Sequence, residues 1–423
     1  MVVGLLALMT AVAVGCGAQD AELRSPKERA APAAADAELK TLAQGNNAFA
    51  FSLYRALSLE QGNLFYSPYS ISLALAMTYG GARGETESQM ADTLQFPLAQ
   101  DRLHPTFNAL DRELATRGKG PDGKEGAGFT LNLANAVWGQ EDYAFLDEYL
   151  DLLAESYGAG VRPADFRENP EESRIAINDW VAERTEGRIE DLIPPGIISE
   201  LTRMVLTNAI YFNAGWQFPF EEGETRPAPF HLLDGSSVEA PMMRTQEGFG
   251  YANGEGYQAV DLPYVGYALS MTVLLPDMGR FREFEDWLDA ALVERIIEGL
   301  EPRYVDLQMP RFAFESQFLL SETLKEMGMA APFDPAAAEF SGMDGKSCLA
   351  GDEGCLYIKE VVHKAFVSVN EAGTEAAAAT AVVMQTESAP PQPVAVTIDR
   401  PFIFLIRDRG TDTILFVGRV ERP

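Results

Sequence analysis

Asn370-Glu371-Ala372-Gly373-Thr374-Glu375-Ala376-Ala377-Ala378-Ala379-Thr380-Ala381-Val382-Val383-Met384 is the stretch on which the fold turns. The eleven residues after Gly373 contain one charge, Glu375, and neither proline nor glycine. In a strand, successive side chains point to opposite faces. One face then reads Thr374, Ala376, Ala378, Thr380, Val382, Met384, all small or apolar, and the other Glu375, Ala377, Ala379, Ala381, Val383, Gln385. A segment meant only as exposed loop would carry more Gly, Pro, Ser and charge. Yet Ala389-Pro390-Pro391-Gln392-Pro393, just beyond, reads as extended and solvent-facing. A segment written for burial in a sheet therefore sits beside one written for exposure. The competing reading of an Ala-rich run is a helix or a low-complexity linker. Its place between the strand-like residues 362–369 and 394–398 argues for the strand. Gly373, free of Cβ restrictions, supplies a backbone hinge.

Outward from this stretch, residues 46–58 and 69–79 carry apolar side chains at helical spacing. The second is apolar almost all round (Ile71, Leu73, Leu75, Ala76, Met77), as in a helix buried inside a larger body. Residues 175–185 and 284–300 read as amphipathic surface helices. Strands are expected over 131–138, 204–212, 270–275, 305–309, 394–398, 402–407 and 413–418, most of them β-branched, aromatic or aliphatic and ending at Pro, Gly or Asp. The 204–212 segment is apolar on both faces, which marks a central strand. Asn208 lies between Leu206 and Ile210 on one of those faces, so it should be buried and must find partners. Helices come early and strands late, which predicts an α+β body. No repeat or linker divides the chain after residue 40, so 40–423 reads as one domain.

Several motifs, in order, resemble the serpin family. They are Asn63-Leu64-Phe65-Tyr66-Ser67-Pro68-Tyr69-Ser70-Ile71, then Thr207-Asn208-Ala209-Ile210-Tyr211-Phe212 with Gly215-Trp216. Leu262-Pro263-Tyr264, Pro310-Arg311-Phe312 and Val362-His363-Lys364-Ala365 follow, then the hinge itself and Arg400-Pro401-Phe402-Ile403-Phe404. The resemblance implies helices packed around a large central mixed sheet, two further sheets and an exposed reactive-centre loop at about 373–393. It implies an inhibitor with no catalytic chemistry of its own. A protease cleaves the loop, the freed segment enters the main sheet, and the acylated protease is trapped as a covalent complex. The hinge is then Gly373, Thr374, Glu375, Ala376, Ala377, Ala378 and Ala379. Counting fourteen residues from Gly373 places the reactive bond at Glu387-Ser388, with Thr386 and Met384 as alternative residues before the cut. Glu387 suits a protease with a basic primary pocket; Thr386 and Met384 suit elastase-like or chymotrypsin-like ones. Ser67, Ser70, Asn208 and His363 match the family's polar group beneath the point where the sheet opens. The resemblance equally covers members that act as binding or scaffold proteins without inhibiting.

Composition narrows the classes. The 423 residues carry 63 acidic against 33 basic side chains, a formal charge of −30, and no Lys/Arg cluster overrides that field. Such a surface repels nucleic acid and disfavours heparin-like polyanions. With 47% hydrophobic and 23% charged residues the chain has an ample core. The only histidines are His104, His231 and His363, and none lies at ligand spacing to a cysteine, so no metal or other cofactor is expected. No Gly-x-Ser-x-Gly elbow, acidic partner or reactive cysteine accompanies His363, and its role reads as structural rather than catalytic. A monomer is expected.

Residues 2–14 form an apolar run, too short to span a bilayer comfortably, that reads as the core of a secretory signal. It ends in Ala13-Val14-Gly15-Cys16, which resembles the lipobox of bacterial lipoproteins, where the cysteine becomes the diacylated N-terminus. No Lys or Arg precedes the run, a departure from that pattern; plain secretion with Cys16 removed is the other reading. Residues 1–16 are thus assigned as signal. Residues 17–39, rich in Ala, Pro and charge and without aromatics, are assigned as a disordered tether. The protein is expected outside the cytoplasm, secreted or lipid-anchored to a bacterial membrane, with the anchor its only membrane contact. In that setting Cys348 and Cys355 read as a disulfide closing a small loop. Two acyl chains hold far more firmly than one, so Cys16→Ser should move the protein from the membrane to the soluble fraction. Unchanged partitioning of the full-length chain would contradict lipidation.

Overall fold

The computed structural model describes residues 22–117, 129–375 and 392–423. Within them the strands are β1 (Leu64–Tyr66), β2 (Phe129–Gln140), β3 (Val161–Ala164), β4 (Met204–Gly215), β5 (Arg226–His231), β6 (Ser237–Gly254), β7 (Tyr257–Pro263), β8 (Leu269–Pro276), β9 (Glu301–Pro310), β10 (Phe312–Leu319), β11 (Val361–Val369), β12 (Gly373–Thr374), β13 (Val394–Thr397), β14 (Phe402–Asp408) and β15 (Ile414–Val420). The helices are α1 (Asp36–Leu57), α2 (Pro68–Tyr79), α3 (Gly84–Thr93), α4 (Gln100–Leu114), α5 (Asp147–Leu152), α6 (Pro170–Arg184), α7 (Phe281–Trp287), α8 (Ala290–Glu298), α9 (Ser321–Glu326) and α10 (Ser341–Asp344).

One six-stranded mixed sheet runs β10-β11-β12-β4-β2-β3. Its centre is β4, buried along nearly its whole length, as an apolar strand covered on both faces must be. It pairs antiparallel with β2 from Ala214↔Phe129 to Met204↔Gly139. On the inner face, Leu206, Ile210, Phe212 and Ala214 join the main core. That core includes α2, every residue of which is buried. On the outer face, Val205 and Ala209 meet Ile177 and Val181 of α6 in a smaller cluster with Trp138. The sheet is thus sandwiched between α2 and α6.

The other strands form one nine-stranded sheet, β1-β15-β14-β8-β7-β6-β9-β13 with β5 added on β6. Two further sheets are expected from the resemblance; the described residues show one. The reason is β6, whose 18 residues pair in turn with β5, β9 and β7 and fuse the two halves into a single ladder system. The single helix expected over 284–300 is also two. Leu288 is extended, and Asp289 starts α8 by accepting a hydrogen bond from the Leu292 amide at 2.7 Å.

The expected tether gives way to an ordered strap from residue 22 onward, and α1 begins at Asp36. Leu23 exchanges both backbone hydrogen bonds with Val161 of β3, at 2.7 and 3.0 Å. Glu22 pairs with Arg162 at 2.8 Å, Lys27 with Asp151 at 3.0 Å and Arg29 with Asp111 at 2.7 Å. Ion pairs and backbone hydrogen bonds, rather than apolar burial, hold this segment. Compositional arguments weigh only the latter. Cys348 and Cys355 are joined by a disulfide in the loop that leads toward β11.

Candidate functional site

The hinge enters the six-stranded sheet. Gly373 and Thr374 form β12, antiparallel to both neighbours: Thr374 faces Ala214 of β4 and Val369 of β11, and Gly373 faces Gly215. Thr374 is buried on the inner face, where its hydroxyl lies 2.7 Å from the Tyr264 hydroxyl. Lower in the sheet β11 and β4 pair directly and in parallel, from Val361↔Leu206 to Ala365↔Ile210. Between that closed seam and β12 lies a stretch about three residues long in which 366–368 and 211–213 share no ladder. Among the described residues, the Glu375 amide reaches into it, donating to the Ser368 carbonyl at 2.7 Å.

The turn that delivers the hinge is held firmly. The Asn370 side-chain carbonyl accepts from the amides of Ala372 and Gly373 at 2.9 and 3.2 Å. Trp216, stacked on Tyr264 with ring centroids 4.7 Å apart, donates its indole N–H to Asn370 O at 3.0 Å and its backbone N–H to Ala372 O at 2.8 Å. Glu371 is buried and contacts Arg311, and it accepts from the Thr225 hydroxyl at 2.5 Å. Burial pushes its carboxyl pKa up, but Arg311 and Thr225 outweigh that and hold it below the ordinary value. Gly373 is in extended backbone, and the left-handed residue is Glu375, at φ 57°. A side chain in that region is uncommon, and with it the extended backbone of β12 ends. The Glu375 carboxylate pairs with Arg188 at 2.6 Å on the outer face.

Ser67, Ser70, Asn208 and His363 come together at the closed seam. His363 and Asn208 are register partners across β11 and β4, and Asn208 is opposite Asn135 across β4 and β2. The imidazole accepts from the Ser67 amide through Nε2 at 3.1 Å, so its Nδ1 carries the proton and donates to the Asn208 side-chain carbonyl. The Asn208 amide donates to Ser70 Oγ at 2.8 Å and to Asn135 Oδ1 at 3.0 Å. Ser67 caps α2 by accepting from the Ser70 amide at 3.1 Å. Both imidazole nitrogens are committed and His363 is fully buried, so it fastens strands and is unavailable as a base. Burial drives its pKa down to about 3.

Sequence reasoning assigned no role to Asn135, Glu371, Arg188 or Tyr264. Asn135 carried a signal, an amide on the apolar 131–138 strand; Arg188 carried none, since its partner is 187 positions away. Ala376 to Ala379, Met384, Thr386, Glu387 and Ser388 lie outside the described residues, as does Cys16.

The central sheet thus holds the short strand β12 between β11 and β4 at one end. The chain belongs to the serpin family: residues 44–423 match the family described as Serpin (serine protease inhibitor). It is similar to an uncharacterized serpin-like protein of Thermococcus kodakarensis, 41% identical over 91% of this chain and 86% of the relative. It is 39% identical to the leukocyte elastase inhibitor of Sus scrofa, over 91% of this chain and 100% of the relative. The crystal structure of the thermophilic serpin tengpin in the native state superposes with a TM-score of 0.82 at 28% identity, covering 95% of this chain and 99% of tengpin.

Two buried histidines, His363 and His104, should make the fold acid-sensitive. His363 and His104 are held neutral by burial, at pKa values of about 3 and about 4 against an ordinary 6.5. The unfolded chain therefore binds protons the native one refuses, and stability present above pH 6.5 is lost as pH falls toward those folded values, by roughly 1.4 kcal/mol per pH unit for each. Between pH 6 and 5 the urea midpoint of wild type should fall more steeply than that of His363→Asn. Equal slopes would show that His363 is not the group excluding the proton.

Proposed function

We propose that this serpin inhibits a serine-type or cysteine protease by suicide-substrate trapping, with cleavage of the loop after Gly373 and its insertion into the six-stranded sheet. The observation that carries the reading is β12, which runs antiparallel to both β11 and β4 above a seam where those two strands are parallel. Parallel pairing is slightly weaker per residue than antiparallel. Extending β12 downward replaces one five-residue parallel ladder with two antiparallel ones. A fully inserted strand adds on the order of ten hydrogen bonds at roughly 1 kcal/mol net each, besides side-chain burial. The inward-facing residues of the segment are small or apolar and offer no charge to oppose entry. The protein acts as a monomer outside the cytoplasm, anchored through Cys16 or secreted.

Thr374 is the first side chain of the inserted face. Because Thr374 is already buried in β12, the next residue of that face, Ala376, makes the test: on insertion Ala376→Arg would drive an unpaired charge into the core, and even 1.4 kcal/mol of such cost is a tenfold effect. The variant should be cleaved about as fast as wild type but form the covalent adduct at least about tenfold less well on denaturing gels. Trapping equal to wild type would contradict insertion, and clean turnover by wild type itself would favour a binding or scaffold role.

The reactive bond is Glu387-Ser388, placing a carboxylate in a basic primary pocket rather than at a desolvation cost in an apolar one. Mass spectrometry of the released C-terminal fragment should give a product beginning at Ser388. A fragment beginning at Gln385 or Glu387 would move the bond to Met384 or Thr386.

A further inference from the structure

We propose that the strap at residues 22–35 is a brake on the widening of the six-stranded sheet; the proposal rests on the insertion reading above. Admitting a strand between β11 and β4 separates them by about 4.8 Å, one strand spacing. The paired unit β4-β2-β3 then shifts relative to the elements beneath it, and β3 is its outer edge. The strap grips that edge at one end, through the two Leu23–Val161 backbone hydrogen bonds. At its other end it grips α4, a helix packed on α1 in the main core. There Arg29 donates to Asn108 at 2.8 Å and pairs with Asp111 at 2.7 Å. Asn108 is buried and commits both ends of its amide to the strap, also donating to Ala30 O at 3.0 Å. Asp111 in turn accepts from the Tyr69 hydroxyl of α2, at 3.2 Å, which ties the same grip to the helix under the seam.

A shift of β3 by a strand width cannot preserve both grips, because hydrogen bonds weaken steeply within an ångström of their optimum. Either the Leu23 pair or the Arg29 pair must break before the sheet opens fully. The seat is shaped for the strap. A Cβ on Gly160 would lie 2.6 Å from Leu23 O, and Gly158, at φ +64°, would meet the Arg29 side chain at 3.0 Å. The edge strand is also covered against pairing with another chain at this point.

The test uses the full chain with its loop intact and a synthetic peptide of sequence 374–384, whose uptake is followed by native gel mobility. Leu23→Pro removes the amide that bonds Val161 O; Arg29→Ala removes the grip on α4; Arg29→Lys keeps the charge. Hydrogen exchange over residues 22–35 reports release of the strap. Leu23→Pro and Arg29→Ala should take up peptide at least threefold faster than wild type, with Arg29→Lys between them and wild type. Should Leu23→Pro not fold, Arg29→Ala, which lies outside the sheet, carries the comparison alone. A strap shown free by exchange, with uptake unchanged from a wild type that does accept peptide, overturns the brake. Uptake in no variant, together with no protease adduct from wild type, removes the insertion reading and the brake with it.

Discussion

The rest of the structure depends on the short seam where β11 and β4 pair in parallel. Above it the sheet is already parted by two residues of hinge; below, the seam runs to the first residue of β11. The seam is fastened by a buried hydrogen-bonded chain from the start of α2 through His363 and Asn208 to Asn135. Buried polar groups are costly to leave unpaired, at about 1–3 kcal/mol each. Parting β11 from β4 therefore meets a barrier even where the product is more stable. Under the proposed insertion, that barrier would hold the resting sheet one strand short, with the fastening placed across the line of opening.

The same logic explains why the hinge is packed so firmly. Trp216, Tyr264 and Glu371 fix the turn at 370–372, so the first two residues of the segment sit in register in the sheet. Register in a sheet is all-or-none, since a slip of one residue exchanges the two faces. With Thr374 set inward, the inner face of every later residue is determined, and the alternation of small and apolar side chains acquires its meaning. At the other edge of the same sheet, the strap ties β3 to α4. In the proposed insertion, hinge and strap would bear on the same displacement from opposite sides.

Much of this was legible in the sequence because it is written in apolar patterning. The central strand β4, the wholly buried α2 and the amide Asn208 all announce themselves by residues whose environment has one sensible form. What stayed hidden is held by polar chemistry over long separations. The strands β5 and β6 mix exposed, half-buried and a few buried positions in no regular alternation and contain Pro227, Pro229 and Pro241, so neither periodicity nor propensity marks them. The strap reads as a tether because it buries little apolar surface. Its partners, Asp111 and Val161, lie 82 and 138 positions away, beyond any local signal. Gly373 drew attention as the hinge, yet the left-handed backbone is that of Glu375, a residue with no intrinsic claim to that conformation.

If the segment after Gly373 enters the sheet as proposed, the decisive measurement is the melting temperature of the protein before and after a single cut in the loop, made by a protease it does not trap. Insertion adds on the order of ten hydrogen bonds, so the cut protein should melt at least about 10 °C higher than the intact one. A cut protein that melts at the same temperature or lower has gained no strand, and the sheet would then be closed to its own loop.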